Sequence, residues 1–440
     1  MCNSIGDIVR FHKNGRPVGV CSICSSNRYV LETAMKQAKE EDRFVLIEST
    51  SNQVDQFGGY SGMTPDRFVA FVQRIANEVG LPKDQIILGG DHLGPNVWQN
   101  EPSLSAMGKA REQVRAYVKA GYCKIHLDTS MCCADDSSDA GSPLTDETIA
   151  NRAADLCSIA EESLDHQSER MTRPVYTIGT EVPIPGGAQE TLTEIEATTV
   201  EHARKTIELA KQAFLKRGLE SAWERVIGLV VQPGVEFGDT DVIDYDREKT
   251  RLLSRFIENV PNLVYEAHST DFQKKESLRR MVEDHFAILK VGPALTFAFR
   301  EAVFALLFME REWLSIKKGV TLSQLNEVLE RTMITHPDHW QNHYRGDEES
   351  LRFARKYSYS DRIRYYWPNE AVAEAFSVLM KNLTVHPPPL CLVSQYLPNQ
   401  YDAIRDGKIR NTPKDLIHDK IGDILNRYED ATKALSISIA

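Results

Sequence analysis

The stretch LGGDHLGPNVWQ sets an acid, Asp91, beside an imidazole, His92, where an apolar run stops. Other apolar runs end in similar chemistry. KIHLDTS carries His126 and Asp128, NLVYEAHST carries Glu266 and His268, FVLIEST carries Glu48, and VYTIGTEV carries Glu181. RVIGLVVQP closes around Gln232, and FAILKVGPA holds Lys290. Imidazoles mixed with carboxylates form the donor set of zinc and related divalent ions. His92, His126, His268 and Glu266 are therefore candidate ligands for Zn2+, with Co2+, Mn2+ or Ni2+ as alternatives. Asp91, Glu181 and Asp128 are candidate acid–base groups, because a carboxylate beside a substrate hydroxyl can take and return its proton. Burying so many ionisable groups without partners would be costly. A metal ion, a charged substrate or pairing among themselves would offset that cost.

Neighbouring residues on a strand point to opposite faces. One of Asp91 and His92 can thus hold a metal while the other faces a substrate. A turn capped by Asp91 is the plainer alternative. Glu48, Gln232 and Lys290 are candidate substrate contacts at strand ends, and three loops add more. SNQVDQFGGYSGMTP (51–65), with Asn52 and Gln53, reads as a mobile lid. KVGPALT puts Gly292 at a helix start, a common phosphate position in barrels. YSYSDRIRYYWP offers Ser358, Ser360, Arg362 and Arg364 for phosphate or hydroxyl contacts, Ser360 and Arg362 foremost. Each loop could equally be packed surface.

The elements that would position these residues follow from pattern. Eight short apolar or β-branched runs recur: 17–24, 44–50, 86–92, 124–130, 175–182, 225–233, 262–270 and 286–294. Helical spacing fills most of the gaps, as in RYVLETAMKQAKEED and TPDRFVAFVQRIANEVG. Alternating strands and helices imply parallel pairing through right-handed crossovers. The expected fold is an α/β (β/α)8 TIM barrel, with a doubly wound open sheet as the alternative. Residues 1–295 would form the barrel and 296–440 a helical extension packed on it, together one structural unit. Active sites of such barrels lie at the carboxyl ends of the strands. Period-two alternation puts Lys124, His126 and Asp128 on one face of the fourth strand, and Glu266 with His268 on one face of the seventh.

Bulk properties remove several classes. The 440 residues carry a formal net charge of −11, which argues against a nucleic-acid surface. No uncharged apolar run is long enough to span a membrane; Arg300, Glu301 and Glu310 interrupt the most apolar stretch, 296–313. The first residues, MCNSIGDIVRFHKNGR, lack a signal-peptide core, and eight scattered cysteines do not suit a secreted disulfide scaffold. A reducing cytoplasm is the expected compartment. CSIC (21–24) has no second pair at zinc-ribbon spacing and reads as buried thiols. There is no phosphate-binding GxxxxGK[ST] loop, no GxGxxG and no GxSxG elbow. Association with further copies of the chain stays open.

The motifs IEST-SNQVDQFGGYSGMTP, LGGDHLGPNVWQN, IGTEVPIPGGA, VVQPGVEF, YEAHSTD, HFAILKVGPALTFA and YSYSDRIRYYWP together resemble the GatZ/KbaZ family, over about residues 5–425. Its members are D-tagatose-1,6-bisphosphate aldolase subunits, sometimes labelled tagatose-6-phosphate kinases. The resemblance implies a TIM barrel and a role in carbohydrate metabolism. It implies a ketohexose or its phosphate as substrate and a class II aldolase catalytic subunit as partner. It leaves three roles open: retro-aldol chemistry with a divalent metal, C4 epimerisation of a ketohexose, and a structural, non-catalytic subunit. The kinase label suits a chain without a phosphate-binding loop least. The Asp-His pair also resembles class II aldolases, which implies Asp91 as acid/base, His92 as a metal ligand and His268 as a second. Glu181, His126 and Glu266 compete for the third place. Two departures stand out: Asn27 in CSSNRYV, where aldolase-subunit members carry histidine, and a long ADDSSDAGSPLTDE stretch that reads as a surface insertion.

Overall fold

The computed structural model describes residues 2–136, 144–164, 173–181 and 195–432. Eight parallel strands close into a barrel. They are β1 (Val20–Cys24), β2 (Val45–Thr50), β3 (Ile86–Leu93), β4 (Lys124–Leu127), β5 (Val175–Gly179), β6 (Val226–Val230), β7 (Val264–Ala267) and β8 (Phe286–Val291). Sequential strands are neighbours, and β8 pairs with β1 at Val20↔Ile288 to complete the ring. All eight expected runs became barrel strands, and the open-sheet alternative falls away. A short antiparallel hairpin, Glu236–Phe237 with Val242–Ile243, follows β6 and was not expected.

Strand alternation separates two environments. Outward residues such as Ile47, Ile125, Leu127 and Tyr265 join the large core beneath the surrounding helices. Inward residues at the amino ends, including Leu46, Ile87, Val175, Ile227, Val264 and Ile288, form a second apolar cluster. The helix Cys2–Lys13 closes that end of the barrel with Ile5, Ile8 and Val9. Their i, i+3, i+4 spacing gives the helix one apolar face.

Beyond β8 the chain is helical. The first helix, Pro293–Leu314, spans the expected 295/296 division. The helix Pro413–Thr432 packs against Pro293–Leu314, Lys275–Glu283 and Arg28–Glu40, and the Thr432 carbonyl accepts from Gly19 N–H at 2.8 Å. Asn27 has a structural job: its side chain caps the helix Arg28–Glu40 by accepting from the N–H of Tyr29 at 2.9 Å. Among the described residues no helix is long and apolar enough to cross a membrane. Positions 137–143 of the expected insertion and 182–188 of IGTEVPIPGGA lie outside the described residues.

Candidate functional site

Above the apolar plug the barrel interior turns ionic. Glu48 (β2), Lys124 (β4), Glu266 (β7) and Lys290 (β8) are almost wholly buried. Lys124 Nζ lies 2.8 Å from Glu48 and 2.7 Å from Glu266. Lys290 Nζ bonds Glu48 and lies 2.6 Å from Asp91 and 3.5 Å from Glu266. Gly89 makes this layer possible, since a Cβ there would come within 2.6 Å of the Glu48 side chain. Burial opposes the charge on each lysine, but the surrounding carboxylates win and raise both pKa values. The carboxylates around them thus hold both side chains as ammonium ions.

The next layer holds the imidazoles. The rings of His92 and His126 have centroids 5.1 Å apart, those of His92 and His268 4.8 Å, and those of His126 and His268 5.1 Å. Alternation along β3 would send His92 to the face opposite Asp91. Instead His92 has a φ of 51°, in the left-handed region, and the turn brings both side chains to the barrel mouth. Such a conformation costs about 1–3 kcal/mol in a non-glycine residue. Just beyond, Gly94 lets the chain pass the Asp128 carbonyl, which a Cβ would meet at 1.6 Å. Asp128 accepts from His92 Nδ1 at 2.7 Å, which fixes the ring and leaves Nε2 as its other donor. Asp91 lies 3.0 Å from His126 Nδ1, and His268 Nε2 lies 3.1 Å from Glu266.

Burial and the neighbouring His92 push the His268 imidazole down to about 3, so it is neutral with a lone pair to give. Burial alone would raise the Asp91 carboxyl. His92, Lys290 and His126 outweigh it and hold Asp91 well below the usual range. Glu266 is likewise held down by Lys124 and Lys290 against its burial.

Three observations fit a divalent cation. Asp91, His126, Glu266 and His268 each present a donor atom within 4.8 Å of the others, and this cluster could hold a metal ion. His126 Nε2 is buried without a hydrogen-bond partner. The four carboxylates Glu48, Asp91, Asp128 and Glu266 outnumber the cations that face them, the two ammonium groups and His92, whose imidazole Asp91 and Asp128 raise against its burial, and a further cation would offset that excess.

A cleft opens over this layer. Asn52, Gln53, Asp91, His92, His268, Lys290 and Gly292 line it, as do Tyr60, Asp271, Arg364 and Tyr365. Ser360 and Arg362, expected as grips, do not line it. Ser360 bonds Ser358 and Tyr344, and Arg362 donates to the His339 carbonyl. Arg364 reaches the cleft in their place. Two strand-end residues also turn elsewhere. Glu181 lies 2.6 Å from His202 and bonds Thr198, and Gln232 accepts from the N–H groups of Gly234 and Val235. The 51–65 loop is tied down: Tyr60 N–H donates to Asn52, Ser61 to Gln53, and the Tyr60 ring packs 4.5 Å from that of Tyr365. Asp271 escaped the sequence reading, because its partners Gly292 and Ala294 lie a strand away.

The model for D-tagatose-1,6-bisphosphate aldolase subunit GatZ/KbaZ-like proteins matches residues 5–433. The chain belongs to the GatZ/KbaZ-like family. A crystal structure described as a probable tagatose 6 phosphate kinase from Sinorhizobium meliloti 1021 is 43% identical, covers 94% of this chain and 100% of its own, and superposes with a TM-score of 0.84. The YdjI aldolase from Escherichia coli K12 is 11% identical, over 69% of this chain and 84% of its own, with a TM-score of 0.39. Fructose-bisphosphate aldolase from Campylobacter jejuni is 13% identical, over 88% and 93%, with a TM-score of 0.44. The last two are too distant to inform the site of a GatZ/KbaZ-like chain. Family membership gives an aldolase-related role, and the barrel mouth supplies a donor cluster that a metal could use.

Proposed function

We propose that this GatZ/KbaZ-like chain performs retro-aldol chemistry at the C3–C4 bond of a ketohexose or its phosphate. The observation that carries the reading is the triangle of His92, His126 and His268 around Asp91, with His126 Nε2 buried and unsatisfied. The three imidazoles are the proposed ligands of Zn2+, because two lysines already hold Glu266. Bound there, such an ion supplies Lewis-acid polarisation of a carbonyl and an adjacent hydroxyl. Asp91 is ionised and lines the cleft, so it can accept the proton of the C4 hydroxyl. The C3–C4 bond then breaks. C4 becomes an aldehyde, and the bond's electron pair passes to C3, leaving the C1–C3 fragment as an enediolate; the proton that Asp91 took returns to C3 before that fragment leaves, or to the C4 oxygen when the bond re-forms. Release of both fragments is an aldolase reaction. Rotation of the aldehyde before the bond re-forms is a C4 epimerisation, which the same residues would serve. Asp128 orients His92, and Asn52, Gln53 and Tyr60 are placed to meet hydroxyls.

A supporting role beside a class II aldolase chain is the second reading, and one surface favours it. Phe304, Phe308, Phe353, Tyr357 and Tyr396 line an open groove in the helical region, with Phe308 48% and Phe353 53% exposed. Contiguous apolar surface of this kind marks interaction sites.

The test is carbon NMR of the purified chain with zinc or cobalt, against fructose, tagatose, their 6-phosphates and their 1,6-bisphosphates. A triose signal or a new C4 epimer that requires Asp91 supports the reading and names the reaction. Unchanged spectra in every mixture, with metal confirmed bound, would sink it in favour of the partner role.

A further inference from the structure

Asp91 can return its proton to the C4 oxygen only while that oxygen faces it. Once the aldehyde has turned, the oxygen points to another wall, and the re-formed bond leaves an alkoxide that needs a proton from a donor there. We infer that Tyr365 is this donor, a second acid–base group that the helical extension contributes to the cleft. This rests on the ketohexose reading above and deepens it.

Tyr365 lines the cleft with Asp91, His92 and His268, but it comes from the short 3-10 helix Arg362–Tyr366 and not from a strand. Its buried hydroxyl accepts from Arg364 Nη2 at 2.9 Å and from Asn52 Nδ2 at 3.5 Å. The Thr50 hydroxyl donates to Asn52 Oδ1, which leaves the Asn52 amide N–H groups for the phenol. A phenol oxygen that accepts twice still has one proton to give. Among the described residues no group accepts that proton. A buried hydroxyl on a cleft wall with an unused proton is placed to donate to a ligand.

The surroundings also suit the phenolate left behind. Arg364 makes no ion pair among the described residues; its printed partners besides the phenol are the Ser360 and Asp361 carbonyls. The Arg364 guanidinium lies 4.5 Å from the centre of the Tyr365 ring, and that of Arg362 lies 5.9 Å away. Burial would raise the phenol's pKa, but Arg364 and Arg362 outweigh it and hold Tyr365 below the ordinary value. Tyr60, its neighbour in the cleft, is instead pushed up by burial. His339, whose imidazole burial lowers, stacks on the Tyr365 ring at 4.7 Å and fixes its orientation.

The protons and electrons balance. Asp91 takes the C4 hydroxyl proton, the C3–C4 bond breaks, and its electron pair passes to C3. The aldehyde turns, C3 returns the pair to the other face of C4, and the C4 oxygen takes the Tyr365 proton. Asp91 is left protonated and Tyr365 ionised. After the product leaves, Asp91 gives its proton to water and Tyr365 takes one from water.

The test compares the metal-loaded full chain with Tyr365→Phe by carbon NMR, on fructose, tagatose and their 6-phosphates. The variant should form the C4 epimer at least about 100-fold more slowly in kcat, with KM changed far less. Wild-type epimerisation should fall as pH rises and Tyr365 loses its proton, and the variant's residual rate should lack this limb. Arg364→Gln should move the limb, and the tyrosinate titration read by ultraviolet absorbance, up toward the ordinary value of about 10. Undiminished epimerisation by Tyr365→Phe, a loss confined to KM, or a wild type that releases trioses without any epimer overturns the inference and leaves the retro-aldol reading standing. If Tyr365→Phe does not fold, Arg364→Gln decides, and an unmoved limb and titration overturn the inference. No turnover of any sugar by the wild type removes the retro-aldol reading and this step with it.

Discussion

Leu46 and Glu48 stand two residues apart on β2, both fully buried in the barrel, in surroundings of opposite kind. Leu46 belongs to the apolar plug with Ile87, Val264 and Ile288. Glu48 belongs to the ionic layer with Lys124 and Lys290. The apolar plug of the lower half is held by contact among its apolar side chains. The upper half is not: it keeps an unsatisfied His126 nitrogen, an excess of negative charge and a left-handed His92. The difference teaches which half is foundation and which is instrument. Apolar packing fixes the strands, and the fixed strands hold ionised groups in an arrangement they would not adopt unaided.

The largest effect should come from the instrument. Asp91→Asn in the folded, metal-loaded chain is expected to lower kcat about 10³-fold, roughly 4 kcal/mol of barrier, because the C4 proton loses its acceptor. Turnover by NMR with circular dichroism on the same sample checks it, and undiminished turnover removes Asp91 from the chemistry. Breaking each layer should then cost stability for different reasons. Lys124→Ala leaves Glu48 and Glu266 buried without one of their two cations, at about 3–5 kcal/mol. Leu46→Ala leaves a cavity in the plug, at about 2–5 kcal/mol, yet should leave metal stoichiometry per folded chain unchanged. Urea unfolding and metal analysis separate the two, and metal loss in Leu46→Ala would mean the halves are not independent. Smaller again, Asp128→Asn should weaken metal binding about 10–100-fold by loosening the His92 ring. A competition titration with a chelating dye measures it, and unaltered affinity would mean that Asp128 does not orient a ligand.

Most of the foundation was legible in the sequence and less of the instrument. The eight strands showed because each apolar run ends sharply in polar residues, and period-two spacing put Lys124 with His126 and Glu266 with His268 inside the barrel. The helix Cys2–Lys13 shows its i, i+3, i+4 face only once there is a barrel end to close. The hairpin at Glu236 has strands of two residues, too short to carry a period. His92 reaches the mouth through a backbone conformation that no residue pattern announces. Arg362 and Arg364 sit two apart on a short 3-10 turn, and which of them faces the cleft depends on how that turn docks. Glu181 and Gln232 end their strands as expected, but near neighbours in space, His202 and Gly234, claim their side chains.

The last expected effect belongs to the floor of the barrel and has a definite sign. His12, only 4% exposed, lies with its Nδ1 3.1 Å from that of His285 and bonds the Val18 carbonyl through Nε2. Burial and then the adjacent His285 push its imidazole down to about 4, against the pull of the Val18 carbonyl and with a small contribution from Lys13. His285 is itself lowered, by burial against the attraction of Glu258. An unfolded chain protonates His12 near pH 6.5, so between 6.5 and about 4 it binds a proton that the folded chain refuses. This contribution is fully present above pH 6.5 and is lost as pH falls, by at most about 1.4 kcal/mol per pH unit. Because His268 in the upper half is lowered too, total stability cannot assign the slope to one end of the barrel. Urea unfolding of the wild type and His12→Gln at pH 7, 6 and 5 can. The wild type should lose stability faster on acidification, and the divergence of the two curves isolates His12. Parallel curves would mean that the floor tolerates a charge, and that the contrast between the two halves is weaker than their residues imply.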